Sequence, residues 1–139
     1  MSARFNEGGV WVAQNNVVTA TLRLAILDSD YTFDATHTMS GTLNALIDSL
    51  SHRGDDPLQT VVISSAGVVS SAAGGTVFTG AAVAGGLSTK NVILYVDPNS
   101  TDNSGDEVGL VHYNGGTLPI TVNGGDLTIF PPAGGWFTI

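Results

Sequence analysis

Three histidines and two acidic stretches hold the groups from which chemistry in this chain would have to start. His37, His52 and His112 stand far apart; no H-x-x-x-H pair and no H-E-x-x-H occurs, so the spacing that sets two imidazoles on one helix face around zinc is missing. "DSDYTFD" places Asp28, Asp30 and Asp34 at intervals resembling a calcium loop. Its fifth position is Thr32, its sixth is Phe33 where the loop needs Gly, and no Glu closes it at the twelfth. "DPNSTDNSGDE" offers Asp97, Asn99, Thr101, Asp102 and Asp106, again without the turn-forming Gly. Side chains of this kind commonly bond their own backbone in Asx turns. That is the expectation for both stretches, with a weak structural calcium ion as the competing use.

Candidate nucleophiles are fewer still. The chain has no cysteine, which excludes thiolate chemistry, a disulfide framework and Cys-based zinc sites. No G-x-S-x-G lifts a serine onto a strand-to-helix elbow. "AGGLSTK" has the Gly-rich look of a phosphate loop, but the Walker pattern runs through its lysine into a helix, whereas Lys90 leads into the strand-like "NVILYV". Asp55 and Asp56 are adjacent on a polar stretch, a poor arrangement for an opposed acid and base. No catalytic, cofactor-binding or metal-ligating residue is nominated, and the chain reads as non-enzymatic.

Charge narrows the partners. The 139 residues carry 4 Lys and Arg against 12 Asp and Glu, a formal net charge of −8. Arg4, Arg23, Arg53 and Lys90 are too few and too dispersed to track phosphates, so nucleic acid is not an expected partner, nor is an anionic membrane. The opening "MSARFNEGGV" lacks the basic and apolar regions of a secretory signal, and no apolar run is long enough to span a bilayer. The expectation is a soluble protein made in a cytoplasm. Only 12% of residues are charged and 18 are Gly, a neutral, turn-rich composition that suits an all-β protein packed against neighbours.

The elements that would position these residues are mostly strands. Residues 1–12 read as an N-terminal arm ending near Gly8-Gly9, with a possible short strand over Val10 to Ala13, and residues 13–139 as one β-sandwich domain. "VTATLRLAILD" alternates, Ala20, Leu22, Leu24 and Ile26 facing one way and Thr19, Thr21, Arg23 and Ala25 the other. "SGTLNALIDSLSHRG" has helical spacing at Leu43, Leu46, Ile47 and Leu50, with Ser40 or Thr42 as cap, and is the single helix expected. From Leu58 onward come short strands separated by Gly-rich turns: "QTVVIS", "GVVSS", "GTVFTGAAV", "NVILYVD", "VGLVHY", "LPITV", "DLTIF" and "WFTI". The continuous apolar run at 91–97 predicts a central strand buried on both faces. Asn123-Gly124 between alternating apolar residues predicts a hairpin, Pro131-Pro132 ends its second strand, and Trp136 to Ile139 closes the sheet. The fold class is mainly β, an antiparallel sandwich or jelly-roll-like single domain with one short helix.

Three blocks, in order, resemble a family of small tailed-phage virion structural proteins. "TATLRLAILDSDYTFDATH" is similar to that family's T-I-K-V-A-L-L-D-S-x-Y-T-x-D opening and following His, through Leu22, Leu24, Ala25, Leu27, Asp28, Ser29, Tyr31, Thr32, Asp34 and His37. "VILYVDPNSTDNSGDEVGLVHY" and "LPITVNGGDLTIFPPAGGWFTI" resemble its A-L-V-L-Y-x-D and L-P-V-T-P-N-G-G-D-I-T-I blocks. The resemblance spans about Thr19 to Ile139; Gly54 to Lys90 and the "GGVWVAQNN" start depart from it. It implies a capsid decoration or cement protein on the virion surface, synthesised in the host cytoplasm. Its implied partners are the major capsid protein and further copies of itself, as a dimer or trimer.

Arg4, Phe5 and Trp11 are the candidate interface anchors, since Arg and aromatic residues dominate interface energetics; for Trp11 a place in the core is the competing reading. Two other functions stay open: a tail, head–tail or host-adhesion component, and a jelly-roll sugar-binding module.

Overall fold

The computed structural model describes residues 2–27, 31–47, 54, 56–79, 91–98, 106–114, 116, 118–123 and 126–139. Among them β2, Leu22–Ile26, forms where the alternation predicts it, with Leu22, Leu24 and Ile26 on one face and Ala25 on the other. The strand begins later than the pattern suggests. Asn16 Oδ1 accepts from the Val18 amide at 3.0 Å and caps a 3-10 turn over Val17–Thr19, which holds those residues out of the ladder.

β2 pairs with β6, Val92–Val96, which pairs with β7, Val108–Tyr113, which pairs with β1, Ser2–Arg4. All these pairings are antiparallel and together make sheet A. Every residue of β6 is buried, as its unbroken apolar run predicts. Leu94 faces Val111 but Tyr95 faces Gly109, so β7 carries a bulge that sends the adjacent Leu110 and Val111 into the same core.

The remaining strands are short. β3, Val62–Ile63, and β4, Val68–Ser70, form a hairpin, and β10, Phe137–Thr138, pairs with the other side of β4 to complete sheet B. β5, Thr76–Phe78, pairs with β9, Asp126–Ile129, and β9 with β8, Ile120–Asn123, as sheet C. Asn123 pairs with Asp126, so the β8–β9 hairpin closes one residue later than Asn123-Gly124 implies. β9 stops at Ile129, before the Pro131-Pro132 pair that cannot donate to a ladder.

Packing joins these sheets in layers. Leu22, Leu24, Val92 and Leu94 of sheet A meet Val69 and Phe137 of sheet B and Phe78 and Ile129 of sheet C in the main core. Trp136 lies at its centre, 1% exposed, edge-on to Tyr113 and donating from Nε1 to Ser71 Oγ at 2.6 Å. The chain's apolar ending therefore points inward. On the opposite face of sheet A, Ala25, Ile93 and Tyr95 pack against Phe5, Met39, Leu43 and Ile47 in a second core. The chain is mainly β and sandwich-like, as expected.

The N-terminal segment differs from the expected arm. Ser2–Arg4 is a strand in sheet A, and Asn6–Gln14 is a helix, α1, where Val10 to Ala13 suggested a strand. Gly8 decides this. A Cβ there would sit 2.6 Å from Gly109 O and Leu110 Cα, so the missing side chain lets α1 lie directly on β7. Tertiary contact then overrides the strand preference of Val10, Trp11 and Val12. Glu7 Oε1 fastens the helix, accepting from the amides of Gly109 at 2.7 Å and Met39 at 2.8 Å.

The helix expected after residue 40 is capped by Thr38 rather than Ser40 or Thr42: Thr38 Oγ1 accepts from Gly41 N at 3.1 Å. A wide π turn at Met39–Leu43 leads into α2, Asn44–Leu46. Leu50 and the rest of that prediction lie outside the described residues.

Candidate interaction surface

The structure separates the three predicted interface anchors. Phe5 is fully buried in the second core, 5.1 Å from the Phe33 ring, with its amide bonded to Leu110 O. This corrects its assignment as a docking residue, because an aromatic ring already desolvated by its own chain has no surface to offer a partner. Arg4 is exposed, but its guanidinium donates to Thr138 O and lies over the Phe137 ring, 5.6 Å from the centroid. It ties the first strand to the last. Trp11 is half-buried against the main core and borders a cleft at the far end of α1.

The motif around Asp34 acts on its own loop. Asp34 Oδ1 accepts from the Thr36 amide at 2.8 Å and hydroxyl at 2.7 Å, the expected Asx turn, and these bonds hold its carboxyl below the usual range. Tyr31 OH lies 3.0 Å from His37 Nδ1, and burial raises the phenol's pKa. The Tyr31 and Phe33 rings both contact His112 on β7, Phe33 stacked at 28°. His112 Nε2 in turn sits 2.9 Å from Asn91 Oδ1, and burial lowers the imidazole's pKa. The spacing Y-x-F-x-x-x-H thus brings a ring cluster onto the outer face of sheet A and pins residues 31–37 there.

Asp97 shows a second use of an acidic side chain. It is fully buried, and Arg23 Nε lies 3.0 Å from its Oδ2. The register sets Arg23 opposite Tyr95 and Asp97 just beyond the β2–β6 ladder, so the pair closes the end of sheet A. Asp28, Asp30 and residues 99–105, the other parts of the two possible calcium stretches, lie outside the described residues. Among the described residues no three His, Asp or Glu side chains gather as a metal site.

No family model matches this chain, and no curated protein or solved structure matches it either. The surface must therefore be read from its own chemistry.

The distribution of charge is what sequence reasoning missed. From Pro57 to Thr89, and again from Leu127 to Ile139, there is no Asp, Glu, Lys, Arg or His. These are the segments that supply all of sheet B and strand β5. Arg4, Glu7, Arg23, Asp97, Glu107 and His112 all lie in or beside sheet A. Among the described residues the strands of sheet B therefore carry no charged side chain of their own, while the Arg4 guanidinium lies against the β10 edge.

Exposed large aliphatic residues among those described are Val10 on α1 and Val18 in the 3-10 turn, and three that belong to sheet B or its end. Val62 is 48% exposed, Ile63 38% and Ile139 53%, and Ile139 lies beside the β3–β4 turn through its amide bond to Gly67 O. The edges are treated differently as well. The free edge of β2 is covered, since Leu22 O and Leu24 O accept from Leu58 N and Gly54 N. β3 has β4 on one side and, among the described residues, no strand on the other. Exposed edges are ordinarily guarded by charge or proline; Val62-Ile63 has neither. The signal was legible as a run of 33 residues, 57–89, without an ionisable acid or base.

Proposed function

We propose that this protein is a non-enzymatic structural component of a tailed-phage virion, a capsid decoration or cement protein that binds the major capsid protein shell and stabilises it. The observation that carries the reading is a sheet B whose own strands hold no charged residue and whose β3 edge is unguarded among the described residues. Such a surface is costly to leave in water and incurs little charge desolvation when covered. The three-block resemblance supplies the kind of assembly. Binding only the expanded shell would stabilise that state by mass action, and contacts repeated over a lattice would sum. Self-association as a dimer or trimer belongs to the same reading, with Arg4, which lies against β10, at its margin.

Copy number in purified particles tests it. Hundreds of copies per particle, lost when Val62→Asp and Ile63→Asp are introduced together, are the expected result. A dozen or fewer copies would place the protein in the tail or head–tail region, and absence from particles would remove the virion reading altogether.

A further inference from the structure

A cleft of about 260 Å3 opens beside the C-terminal end of α1, distinct from the sheet B face. Trp11 lines one wall and Asn15, Asn16, Thr19 and Thr21 supply polar groups; Val96 and Pro98 contribute from the end of β6. Among the described residues, none that lines it is ionisable.

Asn15, Asn16 and Thr19 are each tied by a hydrogen bond, and each keeps unused hydrogen-bonding capacity. Asn15 Nδ2 donates to Trp11 O at 3.1 Å, which leaves its Oδ1 as an acceptor. Asn16 Oδ1 accepts from Val18 N at 3.0 Å as the cap of the 3-10 turn, which leaves its Nδ2 protons as donors. Thr19 Oγ1 donates to Asn16 O at 3.1 Å and keeps its lone pairs. Trp11 is itself steadied by contact with the main core. These contacts reduce the side-chain freedom that binding would have to remove.

Elimination then points to a ligand class. A charged ligand would find no counter-charge among the described lining residues, and an anion would be repelled by a protein of net charge −8. A wholly apolar ligand would bury the amides and hydroxyls without partners. A neutral ring with hydroxyl groups on one edge and C–H groups on its faces satisfies both halves of the lining. We propose that this cleft binds a single neutral monosaccharide unit, with Trp11 as the apolar wall and Asn15, Asn16 and Thr19 reading hydroxyls. The inference does not depend on the virion reading.

The test is an NMR titration of the full chain with glucose, galactose, mannose and N-acetylglucosamine, and separately with dextran, a neutral polymer. Expected is saturable binding at roughly millimolar Kd by at least one monosaccharide. It should shift the Trp11 indole N–H and the Asn15 and Asn16 side-chain amides, with the buried Trp136 indole unmoved. Trp11→Ala should weaken binding about tenfold or more. Asn16→Asp keeps the capping oxygen but loses the Nδ2 donors, so it should fold normally and bind at least about tenfold more weakly. It decides the matter if Trp11→Ala does not fold. Absence of any shift up to about 100 mM sugar, shifts confined to other residues, unchanged binding by Asn16→Asp, or binding of the polymer without any monosaccharide would each overturn the proposal.

Discussion

β6 in sheet A has a strand on each side and a packed layer on each face, so Val92 to Val96 are all buried. β3 in sheet B has one neighbouring strand among the described residues, and both Val62 and Ile63 are exposed. The residue types are alike; the surroundings are not. Sheet A has Phe5, the π turn and loop 31–37 over one face, and sheets B and C with Val12 of α1 over the other. Sheet B spends its inner face on the core, and among the described residues no strand pairs with its β3 edge. The same β-branched chemistry thus holds the fold together in one sheet and is available to a partner in the other.

The largest way to break this contrast is to remove the inner support that sheet B does provide. Deleting Trp136 to Ile139 strips β10 and the indole at the centre of the main core; a Trp-to-Ala truncation alone costs about 3–5 kcal/mol. Loss of the cooperative thermal transition is expected, and an unchanged Tm would refute the packing described for the chain end. On the sheet A side, Arg23→Met leaves Asp97 buried without its cation and should cost about 3–5 kcal/mol in denaturant unfolding.

Glu7→Ala comes next. It removes the carboxylate oxygen that bridges the Met39 and Gly109 amides, and about 2 kcal/mol should be lost without loss of strand content in circular dichroism. A larger effect would mean that α1 and β7 fold as one unit.

A pH scan sharpens the comparison further, because the titrating groups with resolved shifts sit on sheet A and its covering loop. Burial lowers the His112 pKa, so the folded state takes up this proton less readily than the unfolded chain. The neutral ring's contribution is complete above the unfolded value of about 6.5 and declines as pH falls below it. Tm should therefore drop on acidification through that window, and His112→Gln should flatten the drop. Asp34, lowered by its Thr36 bonds, adds a separate loss only as pH falls through and below the ordinary carboxylate range, about 4. The smallest effect on stability is expected in sheet B's open edge: Val62→Ser with Ile63→Ser should change unfolding by only about 0.5 kcal/mol while reducing particle association. A large loss of stability there would show β3 to be core and would weaken the interface reading.

Much of the strand pattern was legible because period-two alternation and turn chemistry are local. β2, β6, the β8–β9 hairpin and the final strand follow from residues within a few positions of one another. The first 14 residues were not legible in this way. Gly8 reads as part of a polar arm in isolation and becomes a close-packing position only when β7, about a hundred residues later, lies beneath it. Glu7 likewise gains its two amide donors from Met39 and Gly109, neither of them near in sequence. Of the candidate anchors, Phe5 moved into the core for the same reason, while Trp11 kept part of its surface.

By itself, then, the sequence determined a mainly β chain with its turns, its alternating faces and its scarcity of charge, because these depend on backbone preference and on composition. Tertiary structure alone decided which apolar residues are used up inside and which remain outside. Burial is a property of what packs against a residue, and for α1, Phe5 and the β3 edge that information lies in distant parts of the chain.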